Sequence, residues 1–491
     1  MLYDEKDASS AEGTRGYLST PTDSQSVTIA EVSNKSASQL DDTLRYIAYT
    51  LGRGPAPDLE SKLPQTAGPI AAEEQKEPTN GIPDDIPDDI IPDGGLTAWL
   101  QVLGSWVIAV VTWGVVNSYG VFQTYYVREL LPHRSASDLS WVGSLQAALL
   151  MIIGVIAGPA YDSGYFRHLL WAGLALILFG QFMTSLCSTY WQVVLAQGVC
   201  MGTGCGFVFL PSTAILSQYF KRKRGLVIGI ASTGSPVASI IFPILFGRLQ
   251  PKIGFPWATR VLAFLMLGLS VVPVLFMRMR VPPSGVKRSL LDRSAFRDVP
   301  YLLCAAGCFL AFLTIYVGFF YIQSFAIRFD ITTPDFSPYL VTLLGAGSIV
   351  GRVGPNHLAD KFGALNIVSL AGLISGVLCF AWMGIRNLGG MIAFALLYGA
   401  SSGGLVSVMP TAVVSLSPDL SLVGTRLGML FFTTGIAVVV GPPIAGAIIS
   451  SGENAAWMGA IGYSATGLFL GGLTLAASRL AQYRQTGSWI G

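Results

Sequence analysis

From Leu96 onward the chain is a series of apolar stretches, each long enough to cross a lipid bilayer. A membrane helix needs about 20 residues to span the hydrocarbon core. We count twelve stretches of that length, from 97–127 to 455–478. Lipid offers no hydrogen-bond partner to backbone groups, and stretches this long and continuous suit helices better than barrel strands. The sequence therefore predicts an all-α membrane protein.

The first 92 residues differ in composition from the rest of the chain. Residues 1–93 hold 18 Asp and Glu against 7 Lys and Arg, so the totals of 28 and 30 leave 10 acids and 23 bases for 94–491. This acidic segment has no apolar run long enough to build a core, which predicts a disordered cytoplasmic tail over 1–92. It also lacks the basic start and apolar region of a signal peptide.

The basic residues between the apolar stretches predict the orientation of the bundle. An even number of spans places both termini on one side, and basic loops favour the cytoplasm. The strongest basic segments are Lys221–Arg224 and a linker over 278–298, with a cytoplasmic tail at 481–491. We expect both termini in the cytoplasm and the protein in the plasma membrane, with the vacuolar or another internal membrane as the alternative.

Two related halves flank the basic linker. Gly158-Pro159 follows the second span and Gly354-Pro355 follows the eighth, about 200 residues later. Gly204 and Pro211 lie seven positions apart in span 4, as do Gly403 and Pro410 in span 10. This repeat predicts pseudo-symmetric six-helix halves at 93–277 and 299–480, which is how major facilitator transporters are built, with a solute site between the halves.

One cation interrupts an apolar stretch. Arg352 lies one or two turns before the polar end of the stretch Leu340–Asn366, in span 8 (337–358). An arginine at the centre of a membrane helix costs roughly 2.5 to 3.5 kcal/mol, so such residues face protein or water. Two interpretations remain open: Arg352 contacts an anion in a transport pathway, or it only reaches the head groups or pairs with Asp360.

The remaining residues contain few signals of other chemistry. The six cysteines lie in or near spans, and the three histidines occur singly at span ends. The chain has neither an HExxH motif nor a phosphate-binding G-x-x-x-x-G-K-[ST] motif. We therefore expect no metal site, no cofactor, no nucleic-acid partner and no enzymatic activity.

Several segments carry a resemblance to a known family. Residues 92–99 (PDGGLTAW), 117–126 (NSYGVFQTYY), 140–146 (SWVGSLQ) and Gly351-Arg352 resemble the monocarboxylate transporter (monocarboxylate porter) family of the major facilitator superfamily, in its fungal branch. The resemblance covers all twelve spans. It implies secondary transport of a small organic molecule, often a monocarboxylate with a proton. Fungal relatives also include vitamin carriers and exporters of secondary metabolites.

The chain departs from the family at two charged positions. Family carriers of monocarboxylates have an aspartate one turn before the arginine of span 8, where this chain has Ser348. They also have a lysine in span 1, where this chain has Asn117. Arg352 itself matches. The resemblance therefore implies an anion partner without the carboxylate that would take a proton, and proton-coupled lactate or pyruvate transport is not expected.

Polar residues of spans 1, 2, 7 and 8 are the candidates for the solute site, because these spans line the cavity in the superfamily. The candidate residues are Asn117, Gln146, Tyr316, Tyr321, Ser348 and Arg352. An interfacial aromatic belt is the alternative for the two tyrosines. At the cytoplasmic span ends, Asp162 with Arg167 and Asp360 with Lys361 are candidate gating residues.

The sequence favours a secondary active or facilitated transporter that moves a small organic solute by alternating access. The solute classes are an organic acid, a vitamin-like molecule and a secondary metabolite. An efflux pump for a secondary metabolite and a transporter-like receptor without flux are the alternatives. The expected partners are the solute, the lipid bilayer and, as an open question, protons; we expect a functional monomer.

Overall fold

The computed structural model describes residues 93–221, 223–280, 289–417, 420–450 and 453–487. Every regular element in these ranges is helical, which confirms the all-α prediction. The predicted acidic tail at 1–92 lies outside the described residues, as do 281–288 of the linker and the last four residues of the C-terminal tail.

Twelve long helices follow one another along these ranges. By length and apolar composition the described residues give ten candidate membrane spans, of which Gly225–Phe276 covers two of the twelve helices and Pro338–Phe362 is not one. They are α1 (Leu96–Leu130), α2 (Ala136–Asp162), α3 (Phe166–Thr184), α4 (Tyr190–Gln218), α5 (residues 224–253), α6 (residues 255–276), α7 (Val299–Arg328), α8 (Pro338–Phe362), α9 (Ala364–Trp382), α10 (Leu388–Leu416), α11 (Leu420–Ile449) and α12 (Asn454–Thr486).

Apolar length alone does not separate α5 from α6 and does not identify α8. The segment Gly225–Phe276 is one continuous apolar run that turns at Gly254, whose φ of 77° separates α5 from α6. Glycine adopts this left-handed conformation without the steric cost that a Cβ would bring. Helix α8 is less apolar than most of the long helices, because Arg352, Asn356 and Asp360 lie within it.

Polar side chains fix the starts of several helices. The hydroxyl of Ser135 accepts a hydrogen bond from the backbone N–H of Asp138 at 3.0 Å, and the Asp138 carboxylate accepts one from the N–H of Ser135. Asp298 accepts from the N–H of Tyr301 at the start of α7, and Asn387 accepts from Gly390 at 2.7 Å before α10. These caps satisfy backbone donors that the first helical turn leaves unpaired.

Small residues let α8 and α10 pack with their backbones in contact. Gly347 and Gly351 of α8 face Leu396 and Ala400 of α10, and the space that a Cβ would need at either glycine is filled by α10 backbone. Such small-residue faces are typical of close helix pairs in membranes. This packing fixes the side of α8 that carries Ser348 and Arg352.

The two six-helix halves meet tightly at one end of the bundle. We call the face that holds Asp93 and Gly487 the terminal face, and the opposite one the distal face. Near the distal face, the hydroxyls of Thr124 and Ser324 lie 3.2 Å apart, the Ser137 hydroxyl donates to the Pro443 carbonyl at 2.9 Å, and Arg248 donates to the Tyr339 hydroxyl at 2.6 Å. Each of these bonds joins one half to the other, so the halves are closed there.

Helices α5 and α8 form part of the seam between the halves. Ser232 and Pro236 of α5 contact α8, with Ser232 accepting from Arg352 at 3.5 Å. Gly229 lies one turn earlier on the same side of α5, and a Cβ placed there would find no described atom within 4 Å.

Candidate functional site

A narrow cavity lies between the halves, with one wall from α1 and the others from α7, α8 and α10. The lining residues are Trp113, Asn117, Ile315, Tyr316, Phe319, Ser348, Arg352, Ser402, Gly403 and Val406. Four of the six predicted solute-site residues, namely Asn117, Tyr316, Ser348 and Arg352, thus meet at one place.

A break in the regular winding of α1 accompanies its contribution to this cavity. Residues Val110–Gly114 form a π-helical turn, and a second irregularity follows at Ser118. Insertions of this kind are frequent at functional sites because they change which side chains face inward. Trp113 and Asn117 both reach the cavity, and the Asn117 amide donates to the Ser235 hydroxyl of α5 at 3.0 Å.

Arg352 is the only charged residue that lines the cavity as the structure describes it, and it is buried. Its protein partners are weak: Nε donates to the Ser348 hydroxyl at 3.4 Å, and Nη1 donates to the Ser232 carbonyl at 3.5 Å. No carboxylate of the described chain forms an ion pair with it. A buried cation without a counter-charge is costly, so this guanidinium is suited to receive an anion.

Aromatic rings form the apolar part of the cavity wall. The Tyr316 ring lies 6.1 Å from Phe319 and 5.7 Å from Phe320, and Trp113 packs edge-to-face on Phe209 at 5.7 Å. The Tyr316 hydroxyl and the Trp113 indole N–H form no hydrogen bond with any described residue. The cavity therefore combines one cation with polar donors and apolar ring surfaces.

Two predicted solute-site residues lie outside this cavity. Tyr321 is buried at the distal seam, where its hydroxyl is 3.3 Å from the Ala136 carbonyl and 3.2 Å from the Pro442 carbonyl. Tyr321 thus joins α2 of one half to α7 and α11 of the other. Gln146 is fully buried in α2 beside Gly202 of α4, and its amide nitrogen and oxygen both lack a hydrogen-bond partner in the described chain.

The predicted gating residues are all found at the terminal ends of helices. Asp162 ends α2 and Asp360 lies in the last turn of α8, at matching positions in the two halves. The side chains of Arg167, Asp360 and Lys361 are exposed, and Asp162 is half-buried. In the described ranges no ion pair joins Asp360 to Lys361.

Another buried arginine, Arg426, lies near the start of α11 and was not among the predicted site residues. Its Nε donates to Asp292 at 2.9 Å and its Nη1 donates to Asp298 at 2.6 Å. Further bonds reach the Leu416 carbonyl at 3.0 Å and the Ser294 hydroxyl at 3.4 Å. The sequence signal for this ion-pair cluster was the presence of acids and a base near the ends of two spans. Because the acids and the base are more than 120 residues apart, the sequence did not show that they are paired.

The pKa of the Asp292 carboxyl lies below its ordinary value. The hydrogen bond from the Ser294 hydroxyl is the main cause, and the bond and charge of Arg426 add to it against the opposing effect of burial. The carboxylate is therefore ionised at neutral pH. The two arginines have opposite environments. The carboxylates of Asp292 and Asp298 balance the charge of Arg426, whereas no carboxylate of the described chain pairs with Arg352.

Comparison with known proteins identifies the family. The sequence profile described as Major Facilitator Superfamily matches residues 95–385, which is more than half of the chain. The chain belongs to the major facilitator superfamily. It is therefore a multi-pass membrane transporter for small-molecule solutes, and the predicted fold is confirmed.

Curated fungal transporters are similar over most of their length. MFS-type transporter dbaD of Emericella nidulans is 41% identical over 367 residues, covering 75% of this chain and 82% of the relative. The aspyridones efflux protein apdF of the same organism is 33% identical, with coverage of 81% and 80%. The fujikurins efflux protein of Gibberella fujikuroi is 34% identical, with coverage of 86% and 90%.

A solved structure supports the same fold. The crystal structure of a point mutant of the nucleoside transporter NupG aligns with a TM-score of 0.61 over 78% of this chain and 99% of that chain. The identity is 13%, so this likeness concerns the arrangement of helices alone.

Proposed function

We propose that the protein exports an acidic, partly aromatic organic molecule of the secondary-metabolite class by alternating access. The observation that carries the proposal is the buried Arg352 guanidinium, which faces a cavity between the halves without a carboxylate partner. The ring surfaces of Trp113, Tyr316 and Phe319 suit a solute with a planar apolar body. Two relatives whose names specify efflux add support for the direction.

The monocarboxylate-porter branch is the subfamily that we propose. Arg352 and the segments around span 1 match that family, whereas Ser348 and Asn117 replace the aspartate and the lysine of its monocarboxylate carriers. No carboxylate lines the described cavity. We therefore expect weak proton coupling and an anionic solute larger than a two- or three-carbon acid.

The proposed setting is the plasma membrane, with the terminal face toward the cytoplasm and the protein acting as a monomer. Lys221, Lys223, Arg278 and Arg280 are exposed basic residues of that face, which supports this orientation under the positive-inside rule. In this orientation the open space beside Gly229 of α5 lies on the cytoplasmic side of the Arg352 contact with Ser232.

Asp162 and Asp360 are proposed to control closure of the terminal face, assisted by Arg167 and Lys361. Acids at matching helix ends can pair with bases or with a positive helix N-terminus when the halves approach. We expect Asp162→Asn and Asp360→Asn to change the maximal transport rate more than the Michaelis constant. A change confined to the Michaelis constant in both variants would place these acids in a solute site instead.

The test of the function is a flux screen with purified protein in liposomes. Aromatic carboxylates and their neutral amides of equal size form matched pairs, and the expected result is protein-dependent flux of the carboxylates with little flux of the amides. Binding of carboxylates without flux would favour the transporter-like receptor. Equal flux of acids and amides would contradict the anion role of Arg352.

A further inference from the structure

The chain exposes large apolar side chains just before and at the start of α7. Leu290, Leu291, Phe296 and Val299 are 56%, 52%, 57% and 55% exposed. Clustered exposed apolar groups of this kind mark a surface that contacts a membrane or another protein. We call residues 290–299 the entry segment.

Side chains that point into the protein hold the entry segment in place. The Asp292 carboxylate accepts hydrogen bonds from Nε of Arg426 at 2.9 Å and from the Ser294 hydroxyl at 2.6 Å. Ala295 is fully buried in the 3₁₀ turn Ser294–Arg297. Because Asp292 and Ala295 are fixed on the inner side, the outward direction of Phe296 is a fixed feature of the fold.

The exposed face of α7 continues into the entry segment. Val299, Leu302 and Ala306 are exposed at spacings of three and four residues, which places them on one face of the helix. In a membrane-spanning helix of a bundle, an exposed apolar face is the face toward lipid. Phe296 lies three residues before Val299 and extends this lipid-facing surface beyond the first turn of α7.

The length of α7 places its first turn at the depth of the lipid head groups. Its 30 residues make a helix of about 45 Å, which matches a bilayer of roughly 40 to 45 Å that includes both head-group layers. Val299 therefore lies at the level of the polar layer on the terminal side. Phe296 lies beside that layer.

The entry segment also carries two exposed cations. Arg293 and Arg297 form no ion pair with any residue that the structure describes. The acids of the same segment, Asp292 and Asp298, are bonded to Arg426. An arginine side chain can extend along an apolar surface and place its guanidinium on a phosphate through paired hydrogen bonds. These outward apolar and cationic groups are complementary to a membrane surface with negative head groups.

We propose that the entry segment docks on the anionic lipid surface of the terminal leaflet. Phe296 enters the boundary between head groups and acyl chains, and Arg293 and Arg297 bind lipid phosphates. The inference rests on the membrane setting of the superfamily and does not depend on the proposed solute. Loss of flux with the docking intact would therefore count against the proposed function alone.

A fluorescent label at Phe296→Cys measures the docking. The full chain is reconstituted in nanodiscs of phosphatidylcholine and phosphatidylserine, and the label is attached through a maleimide. Five of the six native cysteines are buried and Cys200 is half-buried, so their background labelling is measured on the parent chain. We expect strong quenching by a lipid with a spin label near its head group and weak quenching by iodide in the water.

Gln485→Cys is the matched control for depth. The Ser478 hydroxyl of α12 donates to the Pro300 carbonyl at the start of α7 at 2.7 Å, so these two residues lie at one level. Gln485 is exposed and lies seven residues farther along α12, which is about 10 Å along the helix axis. A label there should be quenched by iodide several times more strongly than the label at Phe296→Cys. Equal quenching by iodide at the two positions would overturn the docking.

Replacing both arginines tests the preference for anionic lipid. The readout is the quenching constant of the Phe296→Cys label with spin-labelled phosphatidylserine, divided by that with spin-labelled phosphatidylcholine. We expect a ratio of roughly five with both arginines present, the effect of about one cation at an anionic surface, and a ratio near one in Arg293→Gln, Arg297→Gln. Lys223→Gln changes an exposed base of the terminal face in the N-terminal half and should keep the original ratio. A ratio near one with both arginines present, or an unchanged ratio without them, would overturn the proposal.

A label shielded from both iodide and lipid would also overturn the proposal, because protein would then cover the entry segment. Deletion of residues 1–85 distinguishes the two protein covers. Access of iodide after the deletion would identify the acidic N-terminal segment as the cover, and continued shielding would favour a second copy of the chain.

Discussion

Two buried arginines, Arg352 and Arg426, differ in their partners. Arg426 is bonded to two carboxylates, whereas Arg352 has two long contacts to neutral oxygens. The cost of burying a charge is offset inside the protein for Arg426. For Arg352 the offset has to come from water or from a ligand in the cavity.

Replacing Arg352 with lysine tests its contact with an anion. Lysine keeps the charge but loses the planar fork that binds a carboxylate through two parallel hydrogen bonds. A charge-assisted bond is worth about 1.5 to 3 kcal/mol, so we expect roughly a tenfold or greater loss of affinity for an acidic solute. The Michaelis constant for flux in liposomes measures it, with Arg260→Lys as the control. Unchanged affinity in Arg352→Lys would exclude the contact.

Replacing Ser348 with aspartate should make transport depend more steeply on pH. The new carboxylate would lie one turn from Arg352 and would supply a protonatable group that the cavity lacks. The site is crowded, because a Cβ at Gly403 would lie 2.7 Å from the Ser348 hydroxyl. Ser348→Asn therefore controls for size, and flux is compared between mildly acidic and mildly basic buffers. Equal pH profiles of the two variants would contradict the prediction.

At the scale of helices, the sequence predicted the order and length of the elements but only part of the site. Apolar length is a local property, so α1 to α12 could be counted, and Arg352 was conspicuous as a charge in such a stretch. The position of Tyr321 depends on how α7 packs on α2 and α11, which are far away in sequence. The partners of Arg426 could not be predicted either, because they are also far away in sequence.

Removing the Tyr321 hydroxyl should change the speed of transport more than solute affinity. The hydroxyl contacts carbonyls of α2 and α11 at the distal seam and lies outside the cavity. A hydrogen bond contributes about 1 kcal/mol, so Tyr321→Phe should shift the balance between closed and open distal states by roughly fivefold. Maximal rate and Michaelis constant are measured together. Tyr398→Phe is the control, because its hydroxyl bonds to Ile315 within one half.

For the whole molecule, charge separates the acidic N-terminal segment from the basic membrane part. Residues 1–93 carry most of the acids, and exposed bases such as Lys221 and Arg280 mark the terminal face. The helices described from residue 96 onward are capped and packed by residues after 92. We therefore expect this part of the chain to fold without the acidic segment.

Deletion of residues 1–85 should leave the bundle intact. The deleted part contains no apolar run that could pack into a membrane domain. We expect the melting temperature of the purified carrier and its rate of solute flux to stay near those of the full chain. Loss of the folded protein on deletion would show that this segment is structural.

The orientation of the whole molecule is tested by tags at both ends. If all twelve helices cross the membrane, Asp93 and Gly487 lie on one side of it, and the basic residues of the terminal face favour the cytoplasm. Tags at Met1 and Gly491 should therefore both resist external protease in intact cells expressing the protein at the plasma membrane. A protease site inserted beside Arg134, in the distal loop between α1 and α2, is the positive control and should be cut. Cleavage of one terminal tag and protection of the other would contradict the even number of crossings, and cleavage of both would reverse the orientation.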